Sequence, residues 1–198
     1  MGRALVRALR ETGVEVAVLD LQSSIDAHPP SAEMTIAVDA SRSEQVSAAF
    51  DTLSQRWSRL DGFVNLAGFM KGWQPVSELS PELFDEVIQG NLRSHFLAAR
   101  AALPLLRASG NGSLVSVAST MAMDVYPGYA HYGAAKAAIV ALVKGMAREN
   151  APRVRVNAVA PGLTDTAFLT GGTGRPQVFD AFDPELYAKR VQIGRAHV

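Results

Sequence analysis

Two periods of apolar residues alternate along the chain. Short, mostly apolar runs at 14–20, 34–39, 62–65, 113–118 and 153–158 predict buried strands. Between them lie helical patterns at 2–12, from Ser41 to about Trp57, from Ser80 to about Arg107, and at 129–150. Ser41 with Glu44 makes a capping box, and the helix it opens carries Val46, Phe50, Leu53 and Trp57 on one face. Ser80-Pro81 puts a cap residue before a proline at the first helical position. Gly133, Ala134, Ala137, Ala138 and Ala141 make the helix at 129–150 narrow enough for close packing. Residues 163–182 read as a loop, and Asp183-Pro184 starts a final helix. Strands and helices in alternation predict an α/β, Rossmann-like doubly wound parallel sheet, with ligands at the carboxyl ends of its strands.

Composition narrows the class. Nineteen basic and nineteen acidic side chains give zero formal charge, which argues against a nucleic-acid binder that neutralises phosphates. There is no cysteine, so neither a disulfide nor a thiolate site is available. Arg3, Arg7, Arg10 and Glu11 break up any signal-peptide core, and no apolar run reaches the ~18 residues of a membrane span. The cytoplasm is the expected location. His28, His95, His131 and His197 share no metal-ligand spacing, so no metal site is expected.

The chemistry gathers at strand ends. Tyr132 and Lys136 stand four apart on one helical face. A phenol of pKa about 10 becomes a usable acid or base when a nearby cation lowers it by ~1–3 units. Taken alone, such a pair is also what a solvated helix carries. Ser119 ends the apolar run 113–118, thirteen residues before Tyr132. Asn65-Leu66-Ala67-Gly68 ends another strand with small residues that let backbone approach a ligand, and Pro161-Gly162 ends the last. Asn91 lies inside the long helix, where Asn is a poor former and local tertiary demand is a fair explanation. Asp20 and Asp39 end the strands at 14–20 and 34–39.

In order and spacing these residues resemble the short-chain dehydrogenase/reductase family, over nearly the whole chain. That resemblance implies hydride transfer between a nicotinamide and a carbonyl or secondary alcohol. It casts Tyr132 as proton donor or acceptor, and Lys136 as the group that lowers its pKa and binds the nicotinamide ribose. Ser119 polarises the substrate oxygen, and Asn91 holds a water leading from Lys136 to solvent. Gly2, Asn65, Ala67, Gly68, Pro161, Gly162, Thr164 and Thr166 line the cofactor, with Asp39 at the adenine. Strand-end capping accounts for Ser119, Thr164 and Thr166 equally well outside this ensemble. Asp20 is placed to meet the adenosine ribose, although a strand-end Asp is also a common turn former. No Lys or Arg occurs from Glu11 to Ser41 to pair with a 2′-phosphate, so NAD is expected over NADP. An apolar cleft lined by Phe69, Met70, Trp73, Met121, Met123, Tyr126, Phe168, Phe179 and Phe182 is expected, though packing explains several of these. Which small-molecule alcohol or ketone enters it stays open.

The chain departs from the family pattern in three places. Leu66 stands where the family often has a second Asn. The family's opening strand and glycine-rich turn, and its C-terminal strand, are not matched; Gly2 corresponds to the last glycine of that turn. Residues 193–198 coincide with the translation of a common sequencing-adapter string and its stop, which favours read-through, while Ile193-Gly194-Arg195 also fits the family's Leu-Gly-Arg turn. Residues 1–192 are then an incomplete dinucleotide-binding and catalytic domain. The resemblance implies a homodimer or homotetramer for the complete protein. The competing reading is a catalytically incompetent fragment, or a structural module acting through the helices at 80–107 and 129–150. The chain itself is then expected to bind NADH weakly or not at all.

Overall fold

A computed structural model describes residues 1–164, Thr166 and Phe168. In chain order its elements are α1 (Gly2–Glu11), β1 (Ala17–Asp20), α2 (Gln22–Ala27), β2 (Met34–Ala37), α3 (Ser43–Arg56) and β3 (Gly62–Asn65). Then come α4 (Pro81–Ile88), a π-helical turn (Gln89–Arg93), α5 (Ser94–Ser109), β4 (Gly112–Val117), a 3₁₀ turn (Thr120–Ala122), α6 (Ala130–Asn150) and β5 (Val154–Val159). The helix expected from Asp183-Pro184, and residues 193–198, lie outside the described residues. Among the described residues no helix is long and apolar enough to cross a membrane.

All described strand pairs are parallel, in two groups: β1 with β2, and β3–β4–β5 in that order. The α/β architecture matches the expectation. Both groups share one core. Val46, Ala49, Phe50 and Leu53 of α3, Ala102 and Leu106 of α5, and Ile139, Val143 and Met146 of α6 pack on Leu114, Val154 and Val156, with Leu19 and Ile36 at its margin. Leu114 is fully buried, as the middle strand of a three-stranded group covered by helices requires.

The helix starts contain one correction. Ser80 caps α4 as expected: its Oγ accepts a hydrogen bond from the Leu83 amide at 3.2 Å, with Pro81 in the first turn. Ser41 does not cap α3. That helix starts two residues later, with Arg42 at the cap position and no side-chain cap bond, because the Ser41 hydroxyl donates instead to Asp39 Oδ1 at 2.7 Å. A second addition is α2, which has too few apolar residues to announce itself. In α6, Gly133 and Ala135 are buried while Ala134, Ala137 and Ala141 face outward, so only part of the small-residue set serves packing within the chain.

Candidate active site

The carboxyl ends of all five described strands carry candidate residues. Asp20 ends β1 exposed to solvent, and its Oδ1 accepts from the Leu21 amide. Asp39 follows β2 at the same edge, since the Val38 amide donates to Asp20 O at 2.8 Å. Its carboxylate accepts from both the amide and the hydroxyl of Ser41, and its own amide donates to Gln45 Oε1. Asn65 ends β3 buried, folding its Oδ1 back to the Ala67 amide at 3.1 Å. Gly2, at the start of α1, lies against Leu66; a Cβ there would stand 3.7 Å from Leu66 Cδ1.

Gly68 sits at φ +145°, where a side chain is strained, and a Cβ would lie 2.6 Å from Asn91 Oδ1 and 3.2 Å from Lys136 Nζ. Three sequence-predicted residues thus converge on one point. Asn91 is fully buried within the π-helical turn, the kind of helix irregularity that gathers at functional sites. Its Nδ2 donates to Phe69 O and Val87 O, and its Oδ1 accepts from the Phe69 amide. The side chain therefore grips the backbone after Gly68, which the sequence-based role of holding a water did not anticipate.

Ser119 follows β4, and its Oγ accepts from the Met121 amide at 3.2 Å. The Thr120 amide donates to Pro161 O at 3.0 Å, which brings the end of β5 against the same turn. Gly162 and Thr164 are exposed here, the Thr164 hydroxyl donating to Gly162 O at 3.2 Å, and Thr166 is half-buried. Phe179 and Phe182, expected to line the cleft, lie outside the described residues.

On α6, Tyr132 and Lys136 are both buried. Burial pushes the phenol up to about 12, and the Ser119 hydroxyl, as its hydrogen-bond partner, pulls partly the other way. The lysine is pushed down to about 8 by burial. The expected lowering of Tyr132 by Lys136 is thus corrected. The ammonium stands 5.6 Å from the ring centroid and donates to Val117 O at 3.0 Å, so burial outweighs its field at the phenol.

Tyr132 belongs to a small apolar cluster with Phe69, Met70, Val87, Met121 and Tyr129, edged by Phe168 at 6.5 Å between ring centroids. The expected cleft is therefore partly packed core. Trp73 and Met123 instead stand 61% and 69% exposed. Sequence reasoning passed over His95, which is fully buried with Nε2 2.9 Å from Ala67 O. Burial and, secondarily, the Lys136 charge hold its imidazole down at about 4. The signal for it was present: a histidine one turn beyond Asn91, on the same helical face. Among the described residues no cluster of His, Asp or Glu could hold a metal ion.

The family model described as Enoyl-(Acyl carrier protein) reductase matches residues 1–196. The chain belongs to the short-chain dehydrogenase/reductase family. A short-chain dehydrogenase/reductase of Pyricularia oryzae is 34% identical over 160 residues, 77% of this chain and 59% of that protein. The chain thus spans about three-fifths of that relative's length. Levodione reductase of Leifsonia aquatica is 30% identical over 179 residues, 85% of this chain and 67% of the relative. Among solved structures, a levodione reductase superposes with a TM-score of 0.79 at 30% identity, covering 86% of this chain and 70% of that one. ElxO with NADP bound gives 0.75 at 25% identity, covering 82% and 68%. Short-chain dehydrogenase/reductases are oxidoreductases of a nicotinamide-binding fold.

Proposed function

We propose that the protein is an NAD(H)-dependent oxidoreductase that interconverts a secondary alcohol and a ketone. The observation that carries this reading is the buried meeting of Tyr132 with Ser119 at the end of β4, with Lys136 one helical turn away. The remaining strand ends fit a dinucleotide. Gly68 leaves open the space beside Asn91 and Lys136 that a Cβ would fill, and Asn65 and Ala67 keep the neighbouring backbone low. Asp20 and Asp39 would receive the adenosine end. Gly2 would lie toward the phosphates, and Pro161, Gly162, Thr164 and Thr166 toward the nicotinamide. When bound, that ring supplies or accepts the hydride.

The chain's own residues handle the oxygen and its proton. In reduction Tyr132 donates its proton to the carbonyl oxygen while Ser119 donates a hydrogen bond to the same atom. A phenol held near 12 keeps its proton at neutral pH, so the proton to be donated is in place, although burial makes it a weaker acid. In oxidation Tyr132 must take a proton, and the positive charge of Lys136 favours the phenolate this needs. With a pKa of about 8, Lys136 is about nine-tenths protonated at pH 7. Asn91 holds Phe69 in place behind them.

Asp20 supports NAD over NADP, because its exposed carboxylate would repel a ribose 2′-phosphate and no Lys or Arg lies between Glu11 and Ser41. Exposed Phe84 and Phe96 support self-association through the helices around 80–107, as a homodimer or homotetramer. The cytoplasm is the compartment this reading calls for.

The test is made on the protein as its gene encodes it, with NADH or NADPH and a panel of ketones. NADH should be the better reductant, and Tyr132→Phe should lower turnover about a thousandfold with NADH binding retained. Full turnover by Tyr132→Phe would overturn the mechanism, and equal rates with both cofactors would overturn the preference. Absence of NADH binding would instead favour a structural module.

A further inference from the structure

The segment between β3 and the loop at Trp73 makes no strand ladder, yet alternate carbonyls along it are captured by buried side chains. Ala67 O receives His95 Nε2 at 2.9 Å, Phe69 O receives Asn91 Nδ2 at 2.9 Å, and Lys71 O receives His131 Nε2 at 2.8 Å. The two histidines come from different helices, α5 and α6, and both are about 1% exposed. A carbonyl can only accept, so each imidazole carries its proton on Nε2. The same segment carries Gly68, packed toward Lys136, and Phe69 and Met70, packed with Tyr132. Phe69 leaves no room for a Cβ on Gly90, so its ring is seated directly on the π-helical turn.

We propose that His95 and His131 are positioning residues which, with Asn91, hold residues 67–71 by their carbonyls and so set the wall against which cofactor and substrate lie. His95 acts on the half near Gly68 and Lys136, and His131 on the half near Met70 and Tyr132. Neither histidine touches the reacting atoms. The link to catalysis rests on the function proposed above; the hold on the backbone does not.

Glutamine and leucine at each position separate the hydrogen bond from bulk. Glutamine can place an amide donor close to where Nε2 stands, whereas leucine fills space and leaves the carbonyl unpaired in the interior. Amide hydrogen exchange of residues 66–72, NADH affinity, and the separate values of kcat and KM are measured on the protein as its gene encodes it. In His95→Leu and His131→Leu, exchange in this segment should quicken about tenfold or more, relative to amides of β4 and β5 in the same sample. His95→Gln and His131→Gln should restore most of that protection. His95→Leu should weaken NADH binding about tenfold, and His131→Leu should raise the KM for ketone more than it lowers kcat. Unchanged exchange in the leucine variants, or glutamine no better than leucine, would overturn the inference. Failure of the parent protein to bind NADH would overturn the proposed function, while the exchange data would still decide whether the histidines hold the segment.

Discussion

At Gly68 a single missing methyl group shapes the site. The residue combines a positive φ with a hypothetical Cβ 2.6 Å from the Asn91 amide oxygen, so alanine there meets both backbone strain and a collision. Gly68→Ala is expected to cost about 1–3 kcal/mol in urea unfolding and to weaken NADH binding. Gly145 is the counterpart. It lies inside α6 with open space around it, and Gly145→Ala should stabilise by up to about 1 kcal/mol. Equal effects of the two substitutions would remove the steric argument for Gly68. At this scale the meeting of Tyr132 with Ser119 and Lys136 was legible from residue type and order. The state of Tyr132 was not, since the balance between burial and the Lys136 charge depends on distances no spacing conveys.

Helix ends divide into those that local chemistry settles and those it does not. Ser80-Pro81 was readable because cap and proline act within one turn. Ser41 and Glu44 carry an equally good local signal, yet Asp39 takes the Ser41 hydroxyl and the helix begins later. Ser80→Ala should therefore cost about 1 kcal/mol, and Ser41→Ala less, when thermal unfolding of the two variants is compared. A larger loss at Ser41 would restore the capping box. The continuous helix expected across 80–107 is realised as α4, a π-helical turn and α5, and the turn brings Asn91 inward to Phe69. A poor helix former at 91 hinted at local demand without revealing its geometry.

For the molecule as a whole, the buried ionisable groups set how stability varies with pH. His95 binds a proton near 4 in the fold and near 6.5 when unfolded, so between those values the unfolded chain holds more protons. Stability should fall as pH drops from 6.5 through 4, by on the order of 3 kcal/mol from this residue, and His95→Gln should flatten that part of the curve. Lys136, near 8 folded and 10.5 unfolded, makes stability rise with pH across that higher window. Urea midpoints measured from pH 4 to 10 check both signs. A His95→Gln profile that parallels the parent's at acid pH would show that His95 is not the group responsible.

The sequence by itself determined the α/β class, the strands that end at or just before Asp20, Asp39, Asn65, Ser119 and Pro161, and the family. Those depend on local periodicity and on ordered residue types, both of which are written along one dimension. Tertiary structure alone decided which hydroxyl Ser41 would keep, why Gly68 must lack a side chain, and where two buried histidines would donate. Each of those outcomes turns on a partner distant along the chain, from Asn91 beside Gly68 to His131 sixty residues beyond Lys71, or on a neighbour's competing bond. Folding brings such partners within 3 Å; sequence spacing does not encode the distance.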